Sequence, residues 1–424
     1  MFVVEGGLDV EFPRMFKIKQ NFAQNQIADV PAKLKAELNK PEIRNKVKPG
    51  QKIAVAVGSR GISHINVIVK NVVDTLKIFG AEPFIVPAMG SHGGATAEGQ
   101  AAVLAEYGIT EEKIGVPIRS SMEVVKLGEV GGVPVYFDKI AYEEADAIVP
   151  INRVKAHTDI KAEIESGLMK IMVIGLGKHK GATSIHARGI DGLTRLVPEA
   201  GRFILEKTPI IFGVATVENS YDLPAAIEAI EASAIEEREK ELLAKSKEWL
   251  PTFPVPNIDL LVVDEIGKNI SGSGMDTNII GRFTSREVPD PEEPMIKKIA
   301  VLGLSCETHG NATGIGLADI VTQKVVDEMD RVATFTNVIT STFFEGGMIP
   351  LTAANAKEAI SLGIKFTHGW DTKAARVVRI KNTLKLYEME VSESIWNEIC
   401  NKERIEKIEG PYDWQFTEDG ELKR

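Results

Sequence analysis

Histidine usage along the chain is uneven. Five of the seven, His64, His92, His157, His179 and His186, fall before Gly189. Imidazole exchanges a proton near neutral pH and also binds nickel, copper, iron or zinc. His92 sits in MGSHGGAT, His157 in NRVKAHTDIKAEIESGLMK and His186 in GLGKHKGATSIHARG. The first and last of these segments are rich in glycine, which lets a ligand approach the backbone. The last also carries Lys178, Lys180 and Arg188, donors suited to a phosphate or a carboxylate. Lys170 ends the run SGLMK, and a buried lysine suits covalent attachment. Arg60, in VGSRGIS, offers paired hydrogen bonds to a carboxylate. Singly, a plain turn, a helix start or a solvated loop accounts for each of these residues.

Several familiar chemistries fail on spacing. Glycines 175, 177 and 181 miss the dinucleotide fingerprint by one residue, and no GK[ST] completes a phosphate loop. HExxH and GxSxG are absent. The two cysteines, Cys306 and Cys400, form no CxxC pair and no metal cluster. Zinc hydrolase, serine esterase and thiol protease are disfavoured. A set of imidazoles with a lysine and an arginine survives, without an obvious nucleophile.

These groups need elements to bring them together. KIAVAVGS and PFIVPAMGS read as buried strands, each followed by a helix, at Ile62 to Phe79 and Ala95 to Tyr107. ADAIVPIN and PIIFGVATV read as further strands, with a helix from Gly189 to Glu206 between them. This is the rhythm of a parallel sheet, whose ligands collect beyond the carboxyl ends of the strands. Arg60 follows the first strand, His92 the second, and Arg153, Lys155 and His157 the third. A polar helix, IEEREKELLAKSKEWL, then runs into PTFPVPN, whose prolines stop it.

The expected architecture is α/β with two domains. Residues 1–250 form a larger N-terminal domain whose mainly parallel sheet is flanked by helices. Residues 251–257 are a proline-rich linker, and residues 258–424 are a smaller α/β domain closing over a site in the cleft. In the second domain IDLLVVDEIG and KKIAVLGLS read as strands, and Gly316 to Met329 and Ala353 to Leu362 as helices.

The apolar share of 44% and charged share of 26% are those of a globular chain. A net charge of −10, with the signs mixed, argues against a nucleic-acid partner. The first residues, MFVVEGGLDVEF, are unlike a secretory signal, and no long uncharged apolar run follows. A cytoplasmic protein with no membrane partner is expected.

The order of the polar groups is similar to that of the nickel-dependent lactate racemase family. SGLMKIMVIGLG, Ser166 to Gly177, resembles the family's SGGxK motif, and His186 lies sixteen residues beyond Lys170. His157, His92 and Arg60 precede the lysine in the family's order. The resemblance implies that Lys170 is tethered to a nickel-pincer nucleotide and that His186 is the protein's ligand to nickel. His92 and His157 would be the acid/base pair, with Arg60 and Lys178 at cofactor or substrate. Ser271, Gly272 and Arg282, in EIGKNISGSGMDTNIIGR, loosely resemble the family's second-domain loop and would touch the cofactor.

The implied activity is racemisation or epimerisation of a 2-hydroxy acid by hydride transfer, with cofactor-maturation proteins as partners. One imidazole would take the hydroxyl proton as hydride leaves the α-carbon, and a second would serve the opposite face. The family's substrate-holding glutamine and lysine have no counterpart in the second domain. Four residues between His157 and Lys170, Asp159, Lys161, Glu163 and Glu165, belong to a stretch longer than the family's. Two alternatives remain at this level: another metal- or phosphate-dependent enzyme on the same scaffold, and a non-catalytic metabolite-binding protein.

Overall fold

The computed structural model describes residues 4–5, 7–58, 61–368 and 371–423. Arg60 lies outside them. The chain forms two compact units, Gln24–Leu250, and Met1–Ala23 together with Pro251–Arg424.

In the unit Gln24–Leu250 the main sheet has the order Glu82–Pro87, Lys52–Val57, Ala147–Arg153, Phe212–Glu218, Pro224–Glu231. The first four strands are parallel and the last is antiparallel. From Lys52–Val57 the chain first adds a neighbour on one side and later one on the other. The topological switch therefore lies between Lys52–Val57 and Ala147–Arg153, where parallel sheets open a crevice at their carboxyl edge.

Side-chain alternation sorts the first strand between two layers. Ile53, Val55 and Val57 pack with the helices Val30–Leu38 and Ile65–Ile78. Helix Ile65–Ile78 faces them with Ile65, Ile68, Val69, Val72, Val73 and Leu76, a 3.6-residue stripe. The opposite face buries Ala54 and Ala56, and the segment with Leu168, Met169, Met172 and Leu176 packs there. The small residues let that segment lie close to the sheet. A hairpin, Val124–Val130 with Val133–Asp138, forms a separate two-stranded sheet; Val133, Val135 and Phe137 join the same core.

The other unit holds a sheet of order Leu351–Ala353, Ile320–Thr322, Met295–Val301, Asn257–Val263, Val377–Ile380, Glu388–Ser392, Met15–Gln20, Ile405–Tyr412. The first five strands run parallel, and the remaining pairings are antiparallel. Two expectations are corrected here. The first 23 residues belong to this unit, because Met15–Gln20 pairs with the strands at 388–392 and 405–412. Phe16 stacks on Trp396 at 5.0 Å, and the Trp414 indole N–H donates to Pro13 O at 3.1 Å.

Nor is Gly316 to Met329 one helix. Ile320 and Val321 pair with Ala300 and Val301, and a short helix begins only at Gln323. Buried sheet pairing overrides local propensity. Among the described residues no helix is long and apolar enough to cross a membrane.

Candidate active site

The carboxyl ends of the parallel strands in the unit Gln24–Leu250 carry the polar groups. Gly58, just after the first strand, has no room for a side chain: a Cβ there would lie 2.7 Å from Asn152 Oδ1 and 3.2 Å from Ile171 Cδ1. Asn152 in turn donates through Nδ2 to Gly167 O at 2.8 Å. The switch point is thus stitched to the start of the segment that carries Lys170. Arg153 donates to Gly61 O at 2.7 Å and pairs with Glu218, whose other oxygen accepts from Ser63 N–H at 2.7 Å. These bonds hold residues 61–63 against strands Ala147–Arg153 and Phe212–Glu218.

His157 stands on a loop between Lys155 and Ser166, which exchange two backbone hydrogen bonds. The plain alternative for this stretch, a helix start, does not form. What shapes it is Glu165, whose enclosed carboxylate accepts from His157 N–H at 2.6 Å and Ala162 N–H at 3.2 Å and pairs with Lys247 at 2.6 Å. Asp159 N–H donates to His157 Nδ1 at 3.0 Å. An acceptor at Nδ1 assigns the proton of the neutral ring to Nε2.

Lys170 ends a helical turn, Leu168–Lys170, that continues as a π turn, Ile171–Gly175. Such turns recur at functional sites. Glu239, reaching in from helix Ile235–Glu248, accepts from Met169 N–H at 2.9 Å and so caps the turn's free amides. Gly167 makes room for it, since a Cβ there would sit 2.3 Å from the Glu239 carboxyl. Burial pushes the Glu239 carboxyl up to about 7.

His186 ends the helix Lys178–His186. Burial, then the Lys170 ammonium, holds its imidazole down at about 4. His157 is driven well below the ordinary value by desolvation first, then by the charges of Lys170, His186 and Lys161. The mutual influence of His157, Lys170 and His186 places them in one electrostatic neighbourhood, and both rings are neutral at pH 7.

His92 reaches the same segment through its turn. Gly90 N–H donates to Gly175 O at 3.1 Å, and a Cβ on Gly175 would lie 2.6 Å from Ala88 O. His64 and His179 are exposed, so His179 does not share the buried neighbourhood.

Two expected cofactor contacts are corrected. The Lys178 side chain is fully enclosed, with its ammonium on Asp138 at 3.0 Å, Gln100 Oε1 at 3.3 Å and Pro87 O. It is a tie inside the fold, not a donor to a phosphate. Arg282 donates to Leu317 O at 3.1 Å and Ile296 O at 3.0 Å and pairs with Asp319 at 2.8 Å, bracing the starts of strands Met295–Val301 and Ile320–Thr322. Ser271 and Gly272 lie on the loop after strand Asn257–Val263 of the other unit. Ser271 N–H bonds to Gly267 O at 3.1 Å, and Gly272 O accepts from Lys268 at 2.7 Å.

Glu165, Glu239 and Asn152 were not singled out as site residues from sequence. A signal existed for Glu239: it falls on the buried stripe Ile235, Glu239, Leu242, Leu243, Ser246, where a carboxylate needs a reason.

The family model described as lactate racemase N-terminal domain matches residues 12–193. Residues 12–193 are thus similar to lactate racemase N-terminal domains. The lactate racemase apoprotein from Thermoanaerobacterium thermosaccharolyticum shares its fold with a TM-score of 0.52, over 88% of this chain and 99% of that one, at 12% identity. A structural-genomics protein from Thermotoga maritima aligns with a TM-score of 0.48 at 17% identity, over 64% of this chain and 70% of its own. No curated protein matches the chain. His92, His157, Lys170 and His186 all lie inside the matched segment.

Proposed function

We propose that the chain is a 2-hydroxy acid racemase or epimerase of the lactate racemase type. Lys170 is the attachment point of a nickel-pincer nucleotide, His186 its protein ligand, and His92 and His157 the groups that hold and move protons. The observation that carries this reading is the shared neighbourhood of His157, Lys170 and His186, with both imidazoles kept neutral beside the lysine.

The residues fit such a group. A neutral His186 has a ring lone pair for a metal. Among the described residues no cluster of three or more His, Cys, Asp or Glu forms a metal cage. A metal that brings its other donors on its own organic ligand suits one imidazole, and a bare ion does not. Lys170 emerges from a capped turn tied down by Asn152 and Glu239, a fixed base for a covalent tether.

When bound, the nucleotide supplies a hydride acceptor and donor. The chain's own residues do the rest. With Nδ1 held by the Asp159 N–H, neutral His157 carries its proton on Nε2 and would donate a hydrogen bond from there to a substrate oxygen; taking the hydroxyl proton falls to a ring whose substrate-facing nitrogen is unprotonated. His92 serves as the partner that takes or returns a proton on the opposite face. Arg60, outside the described residues, would take the substrate carboxylate through paired hydrogen bonds. Asp159 Oδ1, buried and without a hydrogen-bond donor among the described residues, is an acceptor two residues from His157.

The test is intact-mass and metal analysis of protein made in a host that builds the cofactor. We expect an adduct of several hundred daltons on the Lys170 peptide, with nickel. Lys170→Ala removes both, and His186→Ala keeps the adduct while losing nickel. An unmodified Lys170 without nickel in the loaded preparation overturns the reading.

A further inference from the structure

Three fully buried polar side chains lie beneath the His92 turn: Asp138, Lys178 and Gln100. They form one chain of contacts. Asp138 also caps the helix Lys139–Glu144, its Oδ1 accepting from Ala141 N–H at 2.7 Å, and pairs with Lys178 at 3.0 Å. Lys178 donates to Gln100 Oε1 at 3.3 Å and to Pro87 O. Gln100 Nε2 donates to Gly90 O at 2.9 Å and His92 O at 3.4 Å.

The orientation of the Gln100 amide is over-determined. An ammonium only donates and carbonyls only accept, so the oxygen must face Lys178 and the nitrogen the His92 turn. Lys178 is held in the left-handed region at φ 55°, a strained conformation for a side-chain-bearing residue. Strain of this kind persists where surrounding structure over-determines it, and it clusters at functional sites. A buried ion pair is a weak source of stability compared with apolar side chains of the same shape. What this pair provides is a fixed point.

Lys178 opens the helix whose last residue is His186, and Gln100 grips the backbone that carries His92. We propose that the buried relay Asp138–Lys178–Gln100 is a positioning device that sets the His92 turn against the start of the helix carrying His186. Its bearing on catalysis rests on the proposed roles of His92 and His186; its effect on the turn does not. A close fit between Gly93 and Gly99, where a Cβ on Gly99 would lie 1.8 Å from Gly93 O, seats the turn on the helix Ala97–Glu106 that carries Gln100.

The experiment compares the full-length protein with three variants. Gln100→Leu keeps the ion pair and cuts the link; Lys178→Met removes the ammonium; Lys178→Met with Asp138→Asn removes both charges and so spares the fold an unpaired buried carboxylate. Two readouts are independent of turnover. One is hydrogen–deuterium exchange of the 90–95 peptide, with strand 52–57 as reference. The other is carbethoxylation of His92 by diethyl pyrocarbonate, with exposed His64 and His179 as internal standards.

We expect Gln100→Leu and the double variant to raise exchange in 90–95 at least tenfold and to change the His92 rate severalfold, with strand 52–57 unmoved. Unchanged exchange and reactivity in both variants overturns the proposal. In cofactor-loaded enzyme the same variants lower kcat more than they raise KM. A loosened turn with kcat intact would leave the positioning in place and overturn the assignment of His92 to proton transfer.

Discussion

Glu239 shows how one buried carboxyl shapes the site and leaves a thermodynamic trace. One oxygen caps the Lys170 turn, while the other, Oε1, is enclosed without a hydrogen-bond partner among the described residues. Its folded pKa, about 7, lies above the ordinary 4.5, so the native state binds the extra proton between those values. Its contribution to stability is therefore complete below about pH 4.5 and lost as pH rises through 7, at a cost of roughly 3 kcal/mol. Glu239→Gln keeps an acceptor for the Met169 amide and removes the titration. Urea unfolding at pH 5 and pH 8 should show the variant gaining on the parent by roughly 2–3 kcal/mol at the higher pH; a pH-independent difference would refute this. At this scale the sequence was legible where chemistry announces itself in residue type: imidazoles and a lysine after parallel strands. Lys178 misled because a lysine among glycines looks like a solvated donor, and burial is decided by what packs from afar. Arg282 misled in the same way, its partners being Leu317 O, Ile296 O and the Asp319 carboxylate.

Two elements decide whether Lys170 and His157 are held. The Lys170 turn depends on Gly167, whose missing side chain admits the Glu239 carboxyl. Gly167→Ala should destabilise the protein by about 3 kcal/mol through overpacking. Adding Glu239→Ala should recover more than about 1 kcal/mol of that loss in a double-mutant cycle; strict additivity in thermal melts would show that the two do not meet. The His157 loop depends on Glu165, which satisfies two backbone amides at once. Glu165→Ala should cost about 2–3 kcal/mol and expose the 157–165 amides to hydrogen exchange, whereas retained protection there would show that the loop stands without it. The parallel strands and the helix Ile65–Ile78 could be read from periodicity alone. The His157 loop could not, because its shape is set by a side chain that bonds to backbone, a pattern without a period.

At the level of the whole molecule, the proline run at Pro251–Pro256 marks one passage of the chain from one unit to the other, and Ala23–Gln24 marks another. The second passage was invisible because MFKIKQ is a short strand whose partners lie some 370 residues away, at Glu388–Ser392 and Ile405–Tyr412. Deleting residues 1–23 removes the strand between those two partners and should open the unit around Pro251–Arg424 to limited proteolysis while Gln24–Leu250 stays resistant. Equal resistance of both units in the deletion would show that the strand is dispensable. The same strand imposes an order on biosynthesis. A ribosome delivers Met15–Gln20 long before Glu388–Ser392 and Ile405–Tyr412, so this sheet cannot close until both have emerged. Gln24–Leu250 is complete well before then and can fold while translation continues, with His92, His157, Lys170 and His186 already in it. Met15–Gln20 must meanwhile wait as an unpaired edge, and the last step in folding its unit is the pairing of the earliest strand with the latest.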